Sequence, residues 1–421
     1  MTVQRDFDRL FTAWLDDRAP QREPEGLRER ILAQTARTRR RPSWAIPERW
    51  LAMQLTIPRP VSVVPRPAWV FLILALLLAL AVAIVALVGA RRVPPPYGLA
   101  RTGLIAFDAD HHIVVANPDG SGRRVVTKGP EIDLAPTWSP DGQRIAFFSR
   151  STPDGACSLK AVEADTGNVT VLDPSIQPIQ FGNGTSCQTG SGELAWSPDS
   201  RSLAYVKTIS DVTRIVIVNV QGGTKTIGDP ELFASDPAWS PDGRTIAFDG
   251  AESAGGSSQV YVMDADGRNV RVARDGALIA FPQWSPDGHF VLGQGGRPMD
   301  IYVVGFDRPS IVNVSDSPGD DFWPSWSNDG LRIAYEGLPP NGQGPIDQVH
   351  VVNADGTNNQ IIPNVDVTGS PLYWSPDDRY LFGYDAAGAN VVVITVDGSQ
   401  PPMKIPAAGN TLTGNWQRRA P

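Results

Sequence analysis

One short pattern recurs along this 421-residue chain and limits what it can fold into. "APTWSPDGQRIAFFS" returns as "LAWSPDSRSLAYV", "PAWSPDGRTIAFDG", "PQWSPDGHFVLGQ", "PSWSNDGLRIAYEG" and "LYWSPDDRYLFGYD", and "TLTGNWQ" begins it once more near the C-terminus. The tryptophans Trp138, Trp196, Trp239, Trp284, Trp326, Trp374 and Trp416 stand 58, 43, 45, 42, 48 and 42 residues apart. A period of that length holds four short strands, the content of one propeller blade. Within the unit at Trp239 the order is a Trp strand, an "SPDG" turn, a second strand "TIAFDG", a third "QVYVMD", an "ADGRN" hairpin and a fourth strand "VRVARDG". The glycines and prolines, 40 and 38 in number, are what so many tight turns require.

Six second strands follow a Trp, and four of them place an aromatic nine residues after it: Phe147, Tyr205, Phe248 and Tyr335. Gly293 and Gly383 hold that place in the fourth and sixth units, so those blades pack differently. A seventh second strand, "GLIAFDA" at 103–109, has no Trp before it, whereas Trp416 has no second strand after it. The two deficits complement each other. The expected fold is mainly β: a seven-bladed propeller over 103–417, with one blade sewn from both chain ends so that the ring exposes no orphan blade. The repeated Trp is expected to fill the wedge between blades, each burial stabilising by about 2–3 kcal/mol. The "SPDG" turn reads as structural, its alternative being a sugar- or calcium-binding turn.

The "WSPDG…IAF" and "YVMDADG" pattern resembles the WD-repeat-like propeller repeat of the TolB family and related cell-envelope proteins, over some three quarters of the chain. The resemblance implies a propeller fold. It leaves function open, because the same repeat serves scaffolds, peptidase appendages and envelope proteins alike. TolB-type propellers have six blades, and this chain departs from them in counting seven.

Residues 69–90, "WVFLILALLLALAVAIVALVGA", carry no charge. As a helix they would span about 33 Å, enough to cross a bilayer. Residues 1–68 hold 13 Arg, no Lys and 8 acids, net +5, while 91–421 hold 24 basic and 37 acidic residues, net −13. The basic head favours a cytoplasmic N-terminus. The expectation is thus a helical cytoplasmic head (1–68), a transmembrane helix (69–90), a linker (91–102) and an extracytoplasmic propeller. In the head, Phe7, Leu10, Phe11, Trp14 and Leu15 form one helical stripe. Its opening, "DFDRLFTAWLDDRAP", is similar to the heads of membrane-bound anti-sigma factors. That resemblance implies a sigma factor as cytoplasmic partner, although the His/Cys zinc signature of many such heads is missing. A plain anchor, with Arg37, Arg39, Arg40 and Arg41 on the anionic inner leaflet, is the other reading.

The acidic propeller excludes nucleic acid as its main ligand. His111 and His112 adjoin on one connection, His289 and His350 lie in two other repeats with no shared spacing, and no G-x-S-x-G elbow occurs. No catalytic residue, metal site or cofactor is therefore expected. Cys157 and Cys187 both fall in the long 58-residue interval, whose extra loop a disulfide would pin. The loops entering the Trp strands supply Glu131, Asp133, Asp236, Asp320 and Asp321, with Trp323 outside the repeated Trp register. These residues define an expected acidic, aromatic-edged mouth for a cationic peptide, a sugar or a protein partner. Alternatively the acids are simply solvated and Trp323 caps the ring. The expected function is a membrane-anchored propeller that binds a protein or ligand and signals to a cytoplasmic partner. The alternative is a propeller lyase or glycosidase acting on cell-surface polysaccharide.

Overall fold

A computed structural model of the chain describes residues 97–419, apart from 154, 182–183, 188–193, 254–255, 275–278, 307–309, 340–347, 366, 368, 370, 386 and 408–413. Seven four-stranded antiparallel sheets succeed one another, and every blade runs from an inner Trp strand outward. The inner strands are Ile132–Trp138, Ala195–Trp196, Phe233–Trp239, Ile279–Trp284, Asp321–Trp326, Tyr373–Trp374 and Gly414–Arg419, which we use to number the blades one to seven. In blade seven, Gly414–Arg419 pairs with Arg101–Ala109, Ile105 standing opposite Trp416 and Phe107 opposite Gly414. His112–Ala116 and Arg124–Val125 complete that sheet. The ring is thus closed by pairing the last strand with the first.

The expected helices need correction. Residues 1–68 and 69–90, and all of the linker up to residue 96, lie outside the described residues. Among the described residues every regular element is a strand, and no helix is long and apolar enough to cross a membrane. The composite of helical head, membrane helix and propeller is therefore corrected to an all-β ring, and no described element carries a single-pass topology. The physical reason is patterning. From Arg101 onward the chain alternates with period two between closely spaced turn signals, which leaves no helical stripe.

The repeated Trp side chains sit at the inner end of each wedge. Trp138, Trp196, Trp239, Trp284, Trp374 and Trp416 are buried. In four blades the indole N–H also crosses to the preceding blade. Trp196 donates to Thr137 O (3.2 Å), Trp284 to Ala238 O (3.1 Å), Trp374 to Ser325 O (3.1 Å) and Trp416 to Tyr373 O (2.8 Å). In each case the acceptor belongs to the residue before the neighbouring Trp. The anchor thus joins blades as well as filling the space between them.

The "SPDG" turn is a side-chain knot. Ser139 Oγ donates to Asp141 Oδ1 (2.5 Å) and accepts from Arg144 N, while Asp141 Oδ1 accepts from Gln143 N. The Ser–Asp bond recurs at Ser197, Ser240, Ser285, Ser327 and Ser375. Gly142 ends this turn at φ 67°, and a Cβ there would lie 2.3 Å from Arg418 O of the closing strand. The aromatics Phe147, Tyr205, Phe248 and Tyr335 are fully buried. Where Gly293 and Gly383 replace them, a Cβ would meet Ile279 at 2.9 Å and Leu372 at 3.2 Å. In those blades an aliphatic side chain has taken the ring's place.

Cys157 and Cys187 form a disulfide across a separation of 30 residues, with Cα atoms 5.7 Å apart. It ties blade one to the segment that carries the small hairpin Ile179–Phe181 and Gly184–Ser186.

Two stability predictions follow from these contacts. Trp416→Ala should lower the unfolding free energy by about 3–5 kcal/mol, because it creates a cavity and opens the seam together. Urea unfolding followed by tryptophan fluorescence measures this. Cys187→Ser should destabilise by about 3–4 kcal/mol if unfolded-chain entropy dominates, and wild type in reductant should match it.

Candidate functional site

Four inner strands carry the same irregularity. Their pairing with the second strand shifts between Leu134 and Thr137, Ser235 and Ala238, Ala280 and Gln283, and Phe322 and Ser325. In each case two inner-strand residues stand opposite one. The first of the two has positive φ: Ala135 (56°), Asp236 (49°), Phe281 (59°) and Trp323 (54°). A proline follows each of them. A bulge of this kind re-aims a side chain. For residues as bulky as Phe281 and Trp323, the left-handed conformation costs about 1–3 kcal/mol each and needs support from its surroundings.

The support comes from the neighbouring blade. Asp249 Oδ2 accepts from Phe281 N (2.9 Å), and Gln294 Oε1 accepts from Trp323 N (2.8 Å). Glu336 Oε2 likewise accepts from Gly369 N (2.9 Å). All three acceptors stand ten residues after a repeated Trp and are buried. A second-strand side chain in one blade therefore captures backbone of the next, in the inner strand at Phe281 and Trp323 and in the loop before it at Gly369.

Three of these residues, Asp236, Phe281 and Trp323, line the mouth of a channel along the ring axis, while Ala135 is buried in the core beside blade one. The mouth chamber, about 390 Å³, is walled by Asp236, Phe281, Gln283, Trp323, Tyr373 and Asn415 among others. Phe281 and Trp323 pack against each other with centroids 5.6 Å apart and planes at 50°. A second chamber of about 300 Å³ lies beyond the tryptophan belt, bounded by residues that follow the Trps, such as Ser139, Pro286, Ser327, Pro376 and Arg418. Tyr97 borders both chambers.

The six residues expected to form the mouth do not converge. Asp236 and Trp323 line the channel. Glu131 lies on the blade-one loop, 3.2 Å from Lys160 Nζ. Asp133 is buried next to it, and that burial raises its carboxyl above the usual range against the pull of Ser149 and Thr127. Asp320 Oδ1 accepts from Met299 N (2.8 Å), which binds its loop to blade four. Asp321 is 1% exposed, packed between blades four and five. Burial first, and the charges of Asp300 and Asp320 after it, push its carboxyl up to about 6, while Ser315 and Ser317 oppose the shift. His350 stacks on Tyr335 at 4.8 Å close by, its imidazole pKa lowered by burial. Among the described residues, no group of three or more His, Cys, Asp or Glu is placed to hold a metal ion.

Sequence reasoning missed Phe281, Tyr373 and Tyr97. A signal for Phe281 was present: it occupies the same place before its Trp as Asp236 and Trp323, each followed by proline. Tyr97 lies outside every repeat, so no periodicity marks it.

A seven-bladed ring closed by its own ends around an axial channel defines a β-propeller protein. The TolB β-propeller domain family (PD40) matches residues 193–417, more than half of the chain, and the chain belongs to that family. It is 31% identical over 114 residues to the Tol-Pal system protein TolB of Gluconobacter oxydans, a match covering 26% of this chain and 23% of that protein. The chain spans less than half the length of the curated relatives it matches. Among solved structures, TolB from Acinetobacter baumannii superposes with a TM-score of 0.50 at 18% identity, covering 74% of this chain and 81% of that one. An oligogalacturonate lyase in complex with manganese gives 0.53 at 14% identity, covering 74% and 86%. At these identities the likeness is one of fold. The family that matches is a propeller domain family, which replaces the expected anti-sigma-like recognition. With no helix among the described residues, the membrane anchor, the sigma-factor partner and transmembrane signalling are corrected along with it.

Asp321 generates a pH prediction. Its folded-state carboxyl holds a proton up to about pH 6, whereas the unfolded chain releases it near 3.8. The folded state binds more protons between these values, so this group's contribution to stability falls as pH rises from about 4 to 6 and is level above that. Asp321→Asn should flatten that segment of the stability profile and leave the protein more stable than wild type at pH 7. Denaturant midpoints at pH 4, 5, 6 and 7 test this.

Proposed function

We propose that the protein is a polysaccharide-acting propeller that takes the end of a neutral sugar chain into the mouth chamber. The observation that carries this reading is the Phe281–Trp323 pair, held at positive φ by Asp249 and Gln294 and set beside Asp236 on the channel wall. A sugar ring has an apolar face and a rim of hydroxyls. The aromatic pair offers a platform for the face. Asp236, Gln283 and Asn415 offer acceptors and donors for the rim. About 390 Å³ lies within the size range of small-molecule sites. The net charge of −13 over residues 91–421 and the carboxylate in the wall disfavour a polyanion. Oligogalacturonate lyase, named for a uronate polymer, shares the fold, but its ligand's carboxylates would be repelled here.

A cleaving form of the same reading is favoured by one observation. Asp249, buried behind the wall, has its carboxyl well above the usual range through burial first and the Asp236 charge second. One carboxyl that holds its proton and another that is ionised are the pair that acid–base cleavage of a glycoside employs. Asp236, on the wall, would act as base or nucleophile, and Asp249 behind it would supply the leaving oxygen's proton by way of water rather than by direct contact.

Calorimetric titration of the full-length chain with cellotetraose, chitotetraose, maltotetraose and tetragalacturonate tests the proposal. At least one neutral tetrasaccharide should bind, and tetragalacturonate should not. Trp323→Ala should weaken the binding about tenfold or more, equivalent to about 1.4 kcal/mol. Shortening of the bound oligosaccharide that disappears in Asp236→Asn would support the cleaving form; binding without shortening would leave the binding form. Failure of every neutral probe to bind would overturn both.

A further inference from the structure

Among the described residues that line both chambers, Tyr97 is the one that no repeat supplies. It comes from the short strap, residues 97–100, that leads into Arg101–Ala109. Its ring borders both chambers, and its hydroxyl donates to Trp239 O (3.2 Å) at the level of the tryptophan belt. Burial pushes the phenol up to about 12, so it remains a neutral donor at physiological pH. The strap is fastened on both sides of the seam. Ala100 N donates to Pro376 O (2.8 Å). Arg418 Nη2 donates to Gly98 O, and Arg418 Nη1 donates to Asn328 Oδ1 (2.5 Å). Gly98 turns the strap at φ 79° with open space around it, a conformation glycine adopts without steric penalty. The closing strand that completes the ring thus also holds the stopper of its channel.

We propose that Tyr97 sets the depth of the mouth chamber: it closes the axial channel at the tryptophan belt, so the site accepts the end of a chain and does not let the chain thread through the ring. The closure is a property of the channel. The ligand class it acts on rests on the sugar reading above. Removing the ring joins the chambers of about 390 and 300 Å³ into one passage. Tyr97 is then a specificity-determining residue, since it selects against ligand length rather than ligand chemistry.

Two measurements on the full-length chain test this separately. Acrylamide quenching of tryptophan fluorescence needs no ligand. Tyr97→Ala should raise the quenching constant, as small solutes reach the belt from both ends, and Tyr97→Phe, which keeps the ring, should not. Arg418→Met, which releases the strap without touching Tyr97, should move in the direction of Tyr97→Ala and decides the matter if that variant does not fold. The second measurement compares affinities for neutral tetra- and hexasaccharides of the same sugar. Wild type and Tyr97→Phe should bind both equally, while Tyr97→Ala should favour the hexasaccharide about tenfold. Unchanged quenching in folded Tyr97→Ala and Arg418→Met would overturn the closure. Raised quenching with one length profile shared by all variants would overturn depth selection. Raised quenching with no neutral sugar bound by any variant would keep the closure and remove the sugar as its ligand.

Discussion

The pairing of Gly414–Arg419 with Arg101–Ala109 is the contact on which the rest of this structure depends. A twisted sheet buries its faces only against neighbours, and a ring of such sheets has no free end only once the last blade is complete. The closing strand does more than finish a sheet. Trp416 reaches back to blade six through its indole N–H and packs edge-on to Phe382 at 5.5 Å. Gln417 Nε2 donates to Gly142 O in blade one (2.8 Å). Arg418 fastens the strap bearing Tyr97. The seam, the two blades beside it and the channel stopper are therefore joined by direct contacts through the closing strand.

The second organising device is the exchange of polar contacts between consecutive blades. Indole N–H groups bond to the preceding blade's inner strand, whereas Asp249 and Gln294 reach the following blade's inner strand and Glu336 the loop that enters it. Both sets end on backbone, so the position of each inner strand is set by its neighbours as much as by its own sheet. This is how the ring can hold Phe281 and Trp323 in a conformation that either would avoid in isolation. The mouth is consequently a property of the assembled ring. Its aromatic wall spans two blades and is held in place by side chains from the blades before them.

Much of the fold was legible because it follows from local rules applied repeatedly. Trp spacing reports strand count per blade, "SPDG" reports a turn with its own side-chain knot, and the unmatched halves at the two ends report where the ring closes. The glycines at 293 and 383 were read correctly as places of different packing, although which aliphatic side chain fills the gap depends on loops a residue count does not see. The acidic mouth was only partly legible. Six acidic or aromatic positions were grouped because they share a loop type. Yet the bulge that begins at Trp323 breaks the strand's alternation, so Asp321 packs at a blade junction and Asp320 binds the blade-four turn while Trp323 is re-aimed into the channel. The expected head and membrane helix rest on charge balance, an uncharged run, one helical stripe and a resemblance, all on residues outside those described.

Sequence alone determined the number of blades, the order of strands within them and the closing partner of Trp416, because each is encoded in short-range patterns of turn, alternation and spacing. Only the tertiary structure decided which side chains meet. The bulges that turn Asp236, Phe281 and Trp323 onto one wall, the carboxylates and amide that hold those bulges, and the arrival of Tyr97 on the axis all arise from contacts between residues far apart in the chain. No local propensity specifies these contacts, because each partner's position is fixed by closure of the whole ring.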